Sequence, residues 1–170
     1  RVDRIPIAGE TIPGSDIATY PGGKGANQAC AASRLGAKVC MIGNVGQDAL
    51  GSTLIDSLSD AGVDLTGVHS IDGSTGSASI FVLPDGDNAI VISSGANGKL
   101  TPEDVRERLT GIQEGDLLLC QLESPMNTIQ EAMRIAKESD ATTILDPAPA
   151  MTIPETILSA TDILTPNETE

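Results

Sequence analysis

The sequence predicts an α/β protein in which helices cover a parallel sheet and a small separate β-sheet stands beside it. Three observations carry that expectation. From residue 100 onward, apolar strand-like runs alternate with amphipathic helical stretches over short connections, the rhythm of β-α-β units joined by right-handed crossovers. Near the start, the run Gly22-Gly23-Lys24-Gly25-Ala26-Asn27 opens a helix of small residues, and a buried strand follows it. Between 77 and 93 the apolar period changes to two around a turn-forming segment, which does not fit the β-α-β rhythm.

Residues 1–20 hold Pro6, Pro13 and Gly14 between short extended pieces, a pattern of edge strands and turns. Ala26 to Leu35 is helical, with Ala26, Ala29, Cys30 and Ser33 on one face and Gly36 at the C-terminal cap. Side chains this small imply close packing on a sheet. Val39 to Ile42 is a buried strand, and Asp48 caps a helix whose Leu50, Leu54 and Leu58 form a stripe ending at Gly62. Ile80 and Val82 share one strand face, Pro84-Asp85-Gly86-Asp87-Asn88 supplies a turn, and Ala89 to Ile92 returns as the second arm of a hairpin. The acidic tip lacks the later glutamate and flanking helices of an EF-hand and reads as a solvated turn.

Thr101-Pro102 starts a helix carrying Val105 and Leu109, and Leu117 to Cys120 is an apolar strand. Ser124-Pro125 starts the next helix, with Met126, Ile129 and Met133 inward. Thr143 to Leu145, a short helix opened by Pro154, and Asp162 to Leu164 complete the pattern. The α/β core is therefore expected over about 22–70 and 100–170, and the small sheet over about 1–20 and 77–93.

Composition narrows the function classes. Ten Lys and Arg against 24 Asp and Glu leave a net charge of −14. Nucleic acid and anionic membranes demand clustered cations, so neither is expected as a partner. Cys30, Cys40 and Cys120 are widely spaced in apolar or small-residue stretches and read as reduced core residues. With one histidine, His69, and no Cys-x-x-Cys pair, zinc sites and Cys-His or Ser-His-Asp catalysis have no support. No secretory signal or bilayer-length apolar run is seen, and a cytoplasmic location is the default expectation.

Chemistry-bearing residues collect at two places. The glycine run lets backbone N–H groups approach a ligand at a helix N-terminus. It matches neither Gly-x-x-x-x-Gly-Lys-[Ser/Thr] nor Gly-x-Gly-x-x-Gly, and taken alone it is equally an ordinary glycine turn with Lys24 solvated. The second place is the set of strand ends, where ligands bind in parallel α/β sheets. Gln121-Leu122-Glu123, Asp146-Pro147-Ala148-Pro149 and Thr165-Pro166-Asn167-Glu168-Thr169-Glu170 deliver acidic or amide groups to one sheet edge.

Together with Pro13-Gly14, Gly43-Asn44-Val45-Gly46-Gln47-Asp48 and Gly95-Ala96-Asn97, these stretches resemble the PfkB family of carbohydrate kinases, and within it the ribokinase branch. The resemblance runs over essentially the whole chain. It implies a ribokinase-like three-layer sandwich, with the segments near 1–20 and 77–93 forming a β lid over the sugar that doubles as a homodimer surface. It implies ribose and ATP as substrates, with transfer of the γ-phosphoryl group to the primary 5-hydroxyl of the sugar. Nucleoside, fructose or sugar-phosphate kinases of the same family are the alternatives, as is a non-catalytic sugar-binding or dimerisation module.

Residue by residue, the resemblance assigns Gly23, Lys24, Gly25, Ala26 and Asn27 to the sugar hydroxyls, with Glu123 accepting from them. It sets Asn167 beside the ATP phosphates and Glu170 near water-coordinated Mg2+, with Asp146 as a further candidate near that cation. A monovalent cation, K+, is expected in the complete family member. The family's opening strand would precede Arg1, with the chain starting just after or within the loop that follows that strand, and its catalytic base is expected beyond residue 170, so the 170-residue chain alone is expected to be inactive.

Overall fold

The computed structural model of the chain describes residues 1–168. The first half runs α1 (Lys24–Arg34), β1 (Cys40–Gly46), α2 (Ala49–Asp60) and β2 (Asp64–Ile71), with β1 and β2 parallel and paired from Cys40–Asp64 to Gly46–Ile71. The small residues of α1 do pack closely: Ala26 and Ala29 form a buried cluster with Leu58 of α2 and Val63, flanked by Val39, Met41 and Leu54. Leu50 remains 42% exposed, so the stripe predicted for α2 narrows at its first turn. β2 was not singled out in the sequence, because Gly67 and His69 interrupt any period of two.

The second half runs α3 (Pro102–Arg108), β5 (Leu117–Gln121), α4 (Met126–Glu138), β6 (Thr142–Asp146), α5 (Glu155–Leu158) and β7 (Ile163–Leu164). β5, β6 and β7 form a parallel sheet in that order, with Gln121 opposite Asp146 and Leu145 opposite Leu164. Ile129 and Met133 of α4, Ile157 of α5, Leu145 and Leu122 make its core, with Met126 packed against them. Thr101 and Asp104 close a capping box at the start of α3. Thr143 is fully buried and satisfied, its hydroxyl donating to Ala160 O at 2.5 Å and its N–H to Asp162 Oδ2 at 2.9 Å. Lys137 and Thr143 together hold the Asp162 carboxyl at about 2.

Helices thus pack on strands in the layered α/β arrangement expected. The parallel strands nevertheless fall into two hydrogen-bonded sets, β1–β2 and β5–β6–β7, and α1 touches strands of both. None of the described helices is long and apolar enough to cross a membrane.

Between the halves stands the predicted hairpin, β3 (Ser77–Val82) and β4 (Asn88–Ser93), antiparallel, with Ile80 opposite Ile90 and Ala78 opposite Ile92. Residues 1–20 depart from expectation, since they form no strand. Pro6 and Pro13 lack donors, and polar groups of the segment are met locally, Ser15 N–H by Arg1 O and the Arg4 guanidinium by Glu10. Its link to the hairpin is Val2 N–H to Val82 O at 3.1 Å.

The hairpin is anchored where β1 ends. Asp48 caps α2 through Gly51 N–H at 2.8 Å and also accepts from the Thr75 hydroxyl at 2.6 Å and the Thr75 N–H at 2.9 Å. Thr75 Oγ1 accepts in turn from Gly46 N–H at 2.9 Å. These donors, the Thr75 hydroxyl first, hold the Asp48 carboxyl below its usual range. The returning arm enters a 3₁₀ turn, Gly95–Lys99, and Ala96 N–H closes on Ser74 O at 2.9 Å, so both arms rest on one junction.

Thr75 is 6% exposed, and replacing its hydroxyl strands a buried amide. Thr75→Val is expected to lower unfolding free energy by about 1–3 kcal/mol. Urea denaturation of variant and parent checks this; a midpoint unmoved by the substitution rejects the junction as a stabilising element.

Candidate functional site

α1 begins without a side-chain cap of its own. Gly23 is its N-cap residue at φ 96°, a conformation that costs glycine little, and no side chain of the glycine run closes the first turn. The cap comes instead from across the molecule: Glu123 Oε2 accepts from Lys24 N–H at 2.9 Å, over 99 positions of sequence. A carboxylate there answers both the unpaired donor and the positive end of the helix dipole.

Glu123 reaches that position because of how the strand ends are tied. Gln121 and Asp146 are direct partners in the β5–β6 ladder, and just beyond them Leu122 N–H donates to Ala148 O at 2.9 Å, both residues being buried. Thr165 N–H donates to Leu145 O at 3.0 Å, which brings the segment leading to Asn167 along the same edge. With strands about 4.8 Å apart, the β5 and β7 ends stand roughly 10 Å from each other. A second tie reaches α1, where Gln28 Nε2 donates to Asp146 Oδ2 at 2.7 Å and Gln121 Nε2 donates to Gln28 Oε1.

Of the residues singled out in the sequence, the structure brings the glycine run, Glu123 and Asp146 together. Gly23 and Asn27 are exposed, and Lys24 and Gly25 are half-buried. The Lys24 ammonium makes no ion pair among the described residues. Ala26 turns its methyl into the core, so only its backbone is left to face a ligand. Asn167 is exposed beyond β7, and Glu170 lies outside the described residues.

Three residues at this end were not given roles from the sequence. Gln28 bridges to β5 and β6, and its placement one turn after Lys24, on the same helical face, was the available signal. Thr75 holds Asp48 from 27 positions away and Arg108 holds Asn44 Oδ1 at 2.7 Å from 64 positions away, distances at which no local pattern exists. Burial pushes the Cys120 thiol up to about 12, and all three cysteines are free.

The residues present do not by themselves fit a cation. Among the described residues no three His, Cys, Asp or Glu converge on a metal-sized point, and one oxygen of Asp146 is already engaged by Gln28.

The model of the pfkB family of carbohydrate kinases matches residues 1–170, and the chain belongs to that family. It is 43% identical to the ribokinase of Haemophilus influenzae over 163 residues, which is 95% of this chain and 53% of that protein. It is 40% identical to the ribokinase of Bacillus subtilis over 168 residues, 99% of this chain and 57% of that protein. In structure it resembles the ribokinase of Thermotoga maritima, with a TM-score of 0.85 at 37% identity over 99% of this chain and 55% of that one. Arabidopsis thaliana ribokinase, solved with ribose and ATP, aligns with a TM-score of 0.82 at 35% identity over 98% of this chain and 55% of that one. The chain spans about half the length of the curated relatives it matches.

Because Glu123 caps α1, its removal is expected to loosen the first turn without any ligand present. Glu123→Ala is expected to speed hydrogen exchange of the Lys24 amide by about tenfold, while amides in the middle of α4 keep their rates. Unchanged exchange at Lys24 would show that Glu123 does not cap α1.

Proposed function

We propose that this chain carries the sugar-binding half of an ATP-dependent ribokinase, which phosphorylates the primary 5-hydroxyl of ribose in the cytoplasm. The observation that supports this reading most is the closure of the glycine-rich helix start by Glu123. We assign the backbone donors of that turn, the Lys24 ammonium, the Asn27 amide and the Glu123 carboxylate to one sugar site at the sheet edge, and the bond from Lys24 N–H to Glu123 supports that grouping. Sugar hydroxyls are both donors and acceptors, and a site built from paired polar groups rejects analogues that leave one of them unmatched. Glu123 has one oxygen held by Lys24 N–H, and its other oxygen is assigned to accept from the sugar.

Asn167 is assigned to the nucleotide side, beside the phosphates of ATP, with Glu170 toward hydrated Mg2+. All of these residues bind or position. In-line phosphoryl transfer gains most of its rate from such placement and from charge neutralisation. The hairpin is assigned as the lid over the sugar, whose closure excludes water as a competing acceptor. The similarity to ribokinases at about 40% identity supports ribose over fructose or nucleosides.

Calorimetric titration of ribose, fructose, adenosine and ribose 5-phosphate into the intact protein, with a coupled assay of ATP turnover, tests the assignment. Ribose is expected to bind best and to drive turnover, and Glu123→Ala is expected to weaken it roughly 10–100-fold. Preference for adenosine moves the chain to a nucleoside kinase, and ribose binding without turnover makes it a sugar-binding module.

The hairpin also exposes Ile80, Ile90 and Ile92 by 52–56%, an apolar surface assigned to a homodimer contact through the lid. Sedimentation of the intact protein checks it: the parent is expected to run as a dimer and Ile90→Lys as a monomer, and a monomeric parent ends the assignment.

A further inference from the structure

We infer that Gln121 and Asp146 are positioning residues that set the glycine-rich start of α1 against the sheet through Gln28, and that residue 25 is glycine because Gln121 fills the space of a side chain. Gln121 and Asp146 are directly opposed in the β5–β6 ladder, so their side chains emerge on the same side of the sheet. Gln28 lies on α1 three residues after Gly25 and four after Lys24, and therefore shares their face. The three side chains form a directional chain of hydrogen bonds, from the Gln121 amide to the Gln28 carbonyl and from the Gln28 amide to the Asp146 carboxylate at 2.7 Å. Each group meets its complement, and the chain ends on an acceptor. Position 146 needs an oxygen there rather than a charge.

Gly25 belongs to the same packing. A Cβ built on it would lie 2.8 Å from Gln121 Oε1 and 3.6 Å from Met41 Cε. A glutamine end is ordinarily free to swing aside, but this one would have to release Gln28 to do so. Gly25 is not in the left-handed region, so alanine is conformationally acceptable there and is the better helix former. Without Gln121, substitution by alanine should therefore help. The glycine run is in this respect a packing signal as well as a ligand signal, and Asp146 is tied to the helix instead of standing ready for a cation.

The effect on sugar affinity rests on the proposed ribose site, whereas the packing does not, and the experiment separates the two. In the intact protein, Gly25→Ala is expected to lower the melting temperature in the parent and to raise it in a Gln121→Ala background. That reversal of sign is read without ligand. Ribose affinity is expected to fall about tenfold in Gly25→Ala and to return most of the way in the double variant. Asp146→Asn, which keeps an acceptor oxygen, is expected to hold ribose affinity within about twofold, while Asp146→Ala loses about tenfold. The Mg2+ concentration needed for half-maximal turnover is expected to be the same in Asp146→Asn as in the parent. A double variant no more stable than Gln121→Ala alone overturns the packing claim and returns Gly25 to the ligand. Asp146→Asn as damaging as Asp146→Ala, with a raised Mg2+ requirement, overturns the role assigned to Asp146. A parent that binds no ribose removes the sugar site alone, and the sign reversal in melting temperature still decides the packing.

Discussion

The first turn of α1 is the hinge pin of this molecule. β1–β2 and β5–β6–β7 share no ladder hydrogen bonds among the described residues, and α1 touches strands of both. Its inward face is held by small-residue packing on Leu58 and Val63, a contact that is non-directional and tolerant of sliding. Register comes from the polar ties at its start, Lys24 N–H to Glu123 and Gln28 to Asp146 and Gln121. Hydrogen bonds have narrow geometric limits, so these few contacts fix where the glycine run stands relative to the strand ends. The hydrophobic effect supplies the adhesion and the polar groups supply the address.

A comparable division of labour governs the hairpin. Two strands with exposed isoleucines have little of their own to hold them in place. Their orientation is delegated to the buried junction of Asp48, Thr75 and Gly46, where one carboxylate satisfies donors from a helix start and from the entry of the hairpin at once. The low burial of the arms beside the fully bonded base gives the hairpin a firm root and lightly held arms.

Much of this was legible in the sequence because local chemistry announces local structure. Asp48 ahead of the Leu50, Leu54 and Leu58 stripe, Thr101-Pro102 and Pro154 each predicted a helix start that the structure has, and the period of two over 77–93 predicted its hairpin. β2 escaped because Gly67 and His69 break its period, although Gly67 is small for a packing reason, its missing side chain leaving room for Met41 O and Ile42. The edge strands expected in 1–20 failed because prolines and a local ion pair satisfy that segment without a ladder. At the site, the glycine run and Glu123 could each be noticed, but their direct contact could not, since 99 positions separate them. Gln28 offers only its position one turn after Lys24, and its partners Gln121 and Asp146 lie 93 and 118 positions away.

The closure of α1 by Glu123 also bears on the kind of ligand this opening suits. A bare helix N-terminus attracts phosphate, since several unpaired N–H groups and the dipole point at one place. In this chain a carboxylate already occupies the Lys24 donor, and a phosphate brought beside it would meet like charge in a partly desolvated setting. A neutral polyol would meet no such penalty, because hydroxyls can donate to a carboxylate as well as accept from an ammonium or an amide. The acidity of the whole chain, −14, works in the same direction by repelling free anions at long range. Glycines beside a lysine are most readily taken for a phosphate loop, and the glutamate from the far strand end makes this helix start less suited to an anion.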